Sequence, residues 1–256
     1  MTIFHSTDIK NSFKQWIRSK LSVFTPKVRT DLEGYNWDNC NPATNGEYFL
    51  IKRCAKEWNI CFDIGANTGE YSAYILKTNP DCKVFCFEPN ILLRDFLEEK
   101  KVTDICHVAL GDRCGTVLIN IDMSDSSQSS IYRNNKQCKP QEVPMITIDY
   151  YMSSRGIDYV SFIKIDTEGN ELAVLRGASV AIKNQSIGMI QFEYGGTYSD
   201  AGTTLRQVYE TLSKNYLICH LFPHGLLPVP YSNELETFRY SNWIAVSRQI
   251  YTCCSG

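Results

Sequence analysis

The chain has 256 residues, enough for one α/β domain of generous size with a full hydrophobic core, with or without an appendage. Lysine and arginine number 26 against 28 acids, a net charge of −2, so the basic excess that duplex or RNA binding exploits is missing, although a local patch is left open. No run is long and apolar enough to span a membrane, and the start, Met1 to Asp8, lacks the basic-then-apolar pattern of a secretory signal.

In chain order, residues 8–24 place Ile9, Phe13, Trp16, Ile17, Leu21 and Phe24 at near-helical spacing among Lys10, Lys14, Arg18 and Lys20. That predicts a helix packed on the domain or crossing its mouth, with contact to a membrane surface as the alternative. Residues 25–46, with Pro26, Gly34, Pro42 and Gly46, read as a loop leading to a helix at 47–58. Regular alternation follows: strand 60–64, helix 69–77, strand 83–88, helix 90–100 and strand 104–108. Residues 116–121 alternate like an added strand, and a polar stretch precedes Val143 to Asp149. Strand 159–165, helix 169–176, strand 187–193, helix 202–214 and strands 216–222 and 242–247 finish the chain. The pattern predicts an α/β, Rossmann-like doubly wound, mostly parallel sheet with ligands outside the carboxyl ends of its strands. The two strands after the last helix suggest an antiparallel hairpin at one edge. Of 11 cysteines, Cys61, Cys86 and Cys106 fall in predicted strands, Cys253-Cys254 in a tail, and no C-x-x-C or zinc spacing occurs. A reducing compartment, hence a cytoplasmic location, is expected.

The segment Cys61-Phe62-Asp63-Ile64-Gly65-Ala66-Asn67-Thr68-Gly69-Glu70-Tyr71 runs from an apolar strand through an acid and two glycines into a helix. It lacks the G-x-G-x-x-G of dinucleotide sites and the Gly-Lys-Ser/Thr of a P-loop, which points to a nucleoside without phosphates. Asp63 can meet a cationic group, and amides opening the helix near Gly69 can hold a carboxylate. Glu88, after strand Val84-Phe85-Cys86-Phe87, can accept both ribose hydroxyls. S-adenosylmethionine carries all these parts. Asp63, Glu88, Asp112, Asp166 and Glu193 each follow a strand, so all five are expected at one sheet edge, although such acids also commonly cap helices.

Phe62 to Gly69, Phe87-Glu88-Pro89, Ala109-Leu110-Gly111-Asp112, Ile163-Lys164-Ile165-Asp166-Thr167-Glu168-Gly169-Asn170-Glu171 and Val174-Leu175-Arg176-Gly177-Ala178 together resemble the FkbM-type S-adenosylmethionine-dependent methyltransferases. The resemblance covers roughly residues 45–247, and the Lys-Ile-Asp-Thr-Glu-Gly block is its most specific part. It implies a class I methyltransferase domain over 47–256, with 1–46 as a helical extension and loop outside it. It further implies O-methylation, mostly of small molecules or sugars. Carried over, Asp63, Gly65, Asn67 and Gly69 would hold the methionine end, with Glu88 on the ribose and Asn90 assisting. Ala109, Leu110 and Asp112 would line the adenine pocket. Ser127, with Ser126, Ser129 and Ser130, would lie near the cofactor, unless that loop is a solvated linker.

A sugar hydroxyl is a weak acid, so a general base or a metal-bound alkoxide should assist. Asp166 is the first candidate and Glu193 the second. Lys164 would orient acids or substrate, or else form an ion pair with Glu168 or Glu171. Those acids could join Asp166 on Mg²⁺, but the sequence requires no metal. On the acceptor side, Glu168, Tyr194, His220 and His224 are the candidates, with a core or edge histidine as the default for His220. The expectation is an S-adenosylmethionine-dependent O-methyltransferase acting on a sugar or glycan hydroxyl. The alternatives are a polyketide-like acceptor or a non-catalytic module that keeps the cofactor pocket. Nucleic acid is not expected as a partner, and oligomeric state is not legible.

Overall fold

The computed structural model describes residues 38–122, 131–132 and 138–251. The helix expected over 8–24, the serines at 126–130 and Cys253-Cys254 lie outside the described residues. In chain order the elements are α1 (Glu47–Cys54), β1 (Ile60–Ile64), α2 (Glu70–Thr78), β2 (Lys83–Phe87), α3 (Arg94–Glu99), β3 (Asp104–Cys106), β4 (Ala109–Leu110), β5 (Gly115–Asp122) and β6 (Cys138–Ile146). Then come α4 (Ile148–Arg155), β7 (Val160–Ile165), α5 (Glu171–Arg176), α6 (Ser179–Lys183), β8 (Ile187–Tyr194), α7 (Thr197–Asp200), α8 (Leu205–Leu212), β9 (Tyr216–Phe222), β10 (Gly225–Pro228), β11 (Ser241–Ser247) and α9 (Arg248–Tyr251).

The main sheet has eight strands in the order β10-β9-β11-β8-β7-β1-β2-β3. Strands β3, β2, β1, β7 and β8 run parallel, whereas β11 is antiparallel to both β8 and β9. The chain winds from β1 outward to β3 and later from β7 outward through β8, so β1 and β7 flank the point where strand order reverses. In such sheets that crevice is where ligands bind. The buried strands are apolar on both faces, as a sheet covered by helices on both sides requires. Along β1, Phe62 and Ile64 join one apolar layer while Cys61 joins the other, and along β7, Ile163 and Ile165 oppose Phe162 in the same way. Trp58 stacks on Phe162 at 4.2 Å between ring centroids and anchors the second layer.

The expected elements are present, and three features depart from the sequence reading. The late strands 216–222 and 241–247 pair antiparallel as expected, but β11 lies between β8 and β9 and an unexpected β10, Gly225 to Pro228, forms the outer edge. Strand β4 leaves the main sheet to pair with β6, forming a second sheet β4-β6-β5, so Asp112 follows a strand of that sheet. Helix α4 has no clean apolar stripe, although Ile148, Tyr151 and Met152 are buried; it is defined by its ends, the Thr147 hydroxyl accepting the Tyr150 N–H and Gly156 in the left-handed region. Helix α8 begins at Leu205 because Thr204 and Gln207 form a capping box there. No helix among the described residues is long and apolar enough to cross a membrane. The eight cysteines whose side chains are described are free thiols.

Candidate active site

The turn after β1 is tight. Gly65 has φ +77°, and a Cβ there would stand 1.8 Å from the Asp166 carbonyl oxygen, so only glycine permits β1 and β7 to exit side by side. Asn67 also has positive φ, a conformation asparagine tolerates. Its N–H donates to Glu88 Oε2 at 2.9 Å, while Glu88 Oε1 accepts the Asn90 N–H at 2.8 Å. One carboxylate therefore ties the glycine turn to the exit of β2 and is held in a single orientation. Burial pushes the Glu88 carboxyl up to about 7, against the two backbone donors that favour its charge.

A cavity of about 510 Å³ opens above these strand ends. Its walls carry Glu47, Glu70, Glu88, Asp166, Glu168 and Glu193 against a single lysine, Lys164, among the described residues. Towards β4 and β5 the lining turns apolar, with Val108, Ala109, Leu110, Ile119 and Ile131. Gly65, Asn67, Glu88, Ala109 and Leu110 thus line the cavity, as do Lys164, Asp166, Glu168 and Glu193. The other expected cofactor residues among those described stand elsewhere. Asp63 lies under the turn, buried, with Oδ2 accepting the Ser72 hydroxyl at 2.6 Å. Gly69 caps α2, packed against Leu97 and Lys100, and the Asn90 side chain accepts the Leu92 N–H to cap a short 3₁₀ turn. Asp112 is a correction: its carboxylate pairs with Arg113 at 3.0 Å away from the cavity, because β4 belongs to the smaller sheet.

At the other end, Lys164 donates to Asp166 Oδ2 at 2.6 Å and lies over the Tyr71 ring at 5.0 Å. Burial pulls its ammonium down, but Asp166, Asp63 and Glu47 outweigh that and hold it charged. Lys164 thus orients an acid, Asp166, which is one of the two roles open to it from the sequence. Glu171 turns inward, where its carboxylate accepts the N–H groups of Thr167 and Gly169 and braces the loop after β7. Its oxygens are thereby engaged by backbone donors. Oxygens of Asp166, Glu168 and Glu193 do lie within 4.8 Å of one another. Burial, then Asp166, Glu168 and Glu171, push the Glu193 carboxyl well above its ordinary range.

Three acceptor-side candidates stand off the cavity, His220 in keeping with its default as a core histidine. Tyr194 is a core residue whose hydroxyl donates to Glu236 at 3.2 Å. His220 is packed among Phe222 and Trp243, and burial lowers it to about 4. His224 sits in the β9–β10 turn, edge-on to Phe49. Both histidines lie off the cavity because β11 separates β9 from β8.

Sequence reasoning missed Glu47, Tyr71, Gln191 and Asn242. Gln191 is fully buried, donates to Glu47 Oε1 at 2.7 Å and to Asn242 Oδ1 at 3.2 Å, and accepts the Tyr71 hydroxyl at 2.7 Å. Strand register explains the row: Asp63 stands beside Lys164 and Lys164 beside Gln191 across β1, β7 and β8. A lone amide inside Ile187 to Phe192 was the available signal, since a buried amide demands partners.

The Methyltransferase FkbM domain model matches residues 63–218, more than half of the chain. The chain belongs to the FkbM methyltransferase family. No curated protein matches it. Among solved structures, an O-methyltransferase from Bacillus cereus in complex with SAH is similar at 11% identity and TM-score 0.46, covering 96% of this chain and 94% of that one. The plantazolicin methyltransferase BpumL with SAH is similar at 12% identity and TM-score 0.43, over 94% and 98% of the two chains. A Methanococcus jannaschii fibrillarin pre-rRNA processing protein is similar at 11% and 0.44, over 81% and 76%. Likenesses of this depth do not transmit a substrate. The FkbM enzymes depend on S-adenosylmethionine, and this cavity fits that cofactor: a fixed carboxylate at the tip of β2, an apolar wall beyond it, and an acid excess for a sulfonium and an ammonium.

Proposed function

We propose that this FkbM enzyme is an O-methyltransferase that acts on a sugar hydroxyl in glycan decoration, with Glu193 as the general base. When bound, S-adenosylmethionine supplies an electrophilic methyl on a sulfonium. Glu88 and the Gly65–Asn67 turn would hold its nucleoside, and Ala109 and Leu110 would flank the base. Strands lie about 4.8 Å apart, so the tips of β2 and β8 are separated by three spacings, roughly 14 Å. That span leaves the β7–β8 end for the acceptor.

The observation that carries the reading is the contrast between two carboxylates at that end. Asp166 is held by the Lys164 ammonium at 2.6 Å, which commits it to that ion pair and suits it to positioning. Glu193 faces the cavity from β8, and burial beside other acids raises its proton affinity towards that of a useful base. Glu193 would accept the proton of the acceptor hydroxyl as that oxygen is methylated, and so would keep the oxygen nucleophilic. The order of the two acids expected from sequence is thereby reversed. An acid cluster can also hold a divalent cation, so the same assay is run with and without chelator. Labelled cofactor with a panel of glycans and methyl glycosides tests the reading. Transfer to sugars that survives chelation supports it, and transfer only to protein or nucleic acid would overturn it.

A further inference from the structure

The buried polar row ends at a hydroxyl whose proton the row itself directs. Asn45 Oδ1 accepts the Glu47 N–H at 3.0 Å, so the Asn45 amide nitrogen must face the Glu47 carboxylate, to which it donates at 2.8 Å. Glu47 as a carboxylate can only accept, which turns the Gln191 nitrogen towards it at 2.7 Å. The Gln191 oxygen is left to take the Tyr71 hydroxyl, and its second N–H goes to Asn242 Oδ1. Asn242 is thereby oriented with its nitrogen towards Tyr240, donating to the phenolic oxygen at 3.0 Å. Each amide has one arrangement compatible with its neighbours. At the end of the chain the Tyr240 oxygen accepts, and among the described residues its own proton has no acceptor.

Tyr240 lines the cavity and precedes β11, where Asn242 stands in register with Glu193 on β8. It therefore lies at the acceptor end, four strand spacings from β2, which Glu88 follows. We propose that Tyr240 is a specificity-determining hydrogen-bond donor to the acceptor molecule, its proton directed into the cavity by the Glu47–Gln191–Asn242 chain. The ligand it selects carries an oxygen lone pair, a ring or hydroxyl oxygen, beside the hydroxyl that is methylated. Glu47, Gln191 and Asn242 are positioning residues for this contact. The inference rests on the reading that one cavity takes both cofactor and acceptor, but not on the acceptor being a sugar.

The test uses the full chain with labelled S-adenosylmethionine and two acceptor sets, methyl glycosides and simple non-sugar alcohols. Tyr240→Phe should raise KM for the methylated compound about five- to tenfold, the worth of one net hydrogen bond, with kcat nearly kept. S-adenosylhomocysteine affinity by calorimetry should stay within about twofold. Asn242→Asp should reproduce the effect, because a carboxylate there claims the phenolic proton, and should add nothing to Tyr240→Phe. If only non-sugar alcohols turn over, the sugar reading falls while the KM comparison still decides Tyr240. Independently of any acceptor, neutron diffraction from crystals with S-adenosylhomocysteine should place the Tyr240 deuteron towards the cavity. A deuteron on the Glu193 or Asn242 side, an unchanged KM, or an equal loss of cofactor affinity would overturn the proposal.

Discussion

The two ends of the cavity are built by different means. At the β1–β2 end, the carboxylate of Glu88 is fixed by N–H groups 21 and 2 residues away, all within contiguous motifs. At the β7–β8–β11 end, Gln191 joins Glu47 across 144 residues, Tyr71 across 120 and Asn242 across 51. The first end is a local turn whose shape follows from glycine placement. The second is an assembly of distant side chains in a buried sheet face, where every polar group must find a partner. A cofactor common to many enzymes suits the local device, and an acceptor particular to one enzyme suits the assembled one.

Variants can break or sharpen that division. The largest effect is expected from Glu193→Gln, which removes the base: kcat should fall about 10²- to 10⁴-fold in steady-state assays with S-adenosylhomocysteine affinity kept. A matching loss of cofactor affinity would erase the boundary between the two ends. Lys164→Met comes next, since it strands Asp166, Asp63 and Glu47 without their shared cation. Breaking such a buried pair should cost about 3–5 kcal/mol of unfolding free energy in denaturant titrations.

Glu88→Gln probes the cofactor end, and calorimetry should show S-adenosylhomocysteine affinity about ten- to a hundredfold weaker, in keeping with hydrogen bonds to a charged group. The same variant carries a pH signature in the ligand-free chain. Folded Glu88 holds its proton up to about 7, above the ordinary glutamate range, so its contribution to stability is present at low pH and is lost as pH rises towards 7. Thermal melts should therefore show Glu88→Gln gaining stability relative to the parent between pH 5 and pH 8. The smallest effect is expected from His224→Ala, placed on the β9–β10 turn: acceptor KM should change by less than about twofold, as for surface substitutions outside a site. A larger change would extend the acceptor end across β11.

Much of the main sheet was legible because its strands are short apolar runs punctuated by glycine and acids, and strand ends point where ligands bind. The limits lay in pairing. Whether strand 241–247 closes an edge or inserts between β8 and β9 depends on contacts that periodicity does not encode. The same limit applied to Asp112, which was grouped with the strand-end acids although β4 pairs outside the main sheet. Helix α4 escaped because its signal lies in its caps.

By itself the sequence determined the family, the doubly wound alternation and the cofactor turn, since local backbone chemistry and contiguous motifs specify all three. The tertiary structure alone decided which carboxylate is paired with Lys164 and which one faces the cavity among other acids. It also brought Glu47, Gln191, Asn242 and Tyr240 into one oriented row. The physical reason is that side-chain register across parallel strands and the satisfaction of buried polar groups are properties of neighbours in space, which the order of residues along the chain does not reveal.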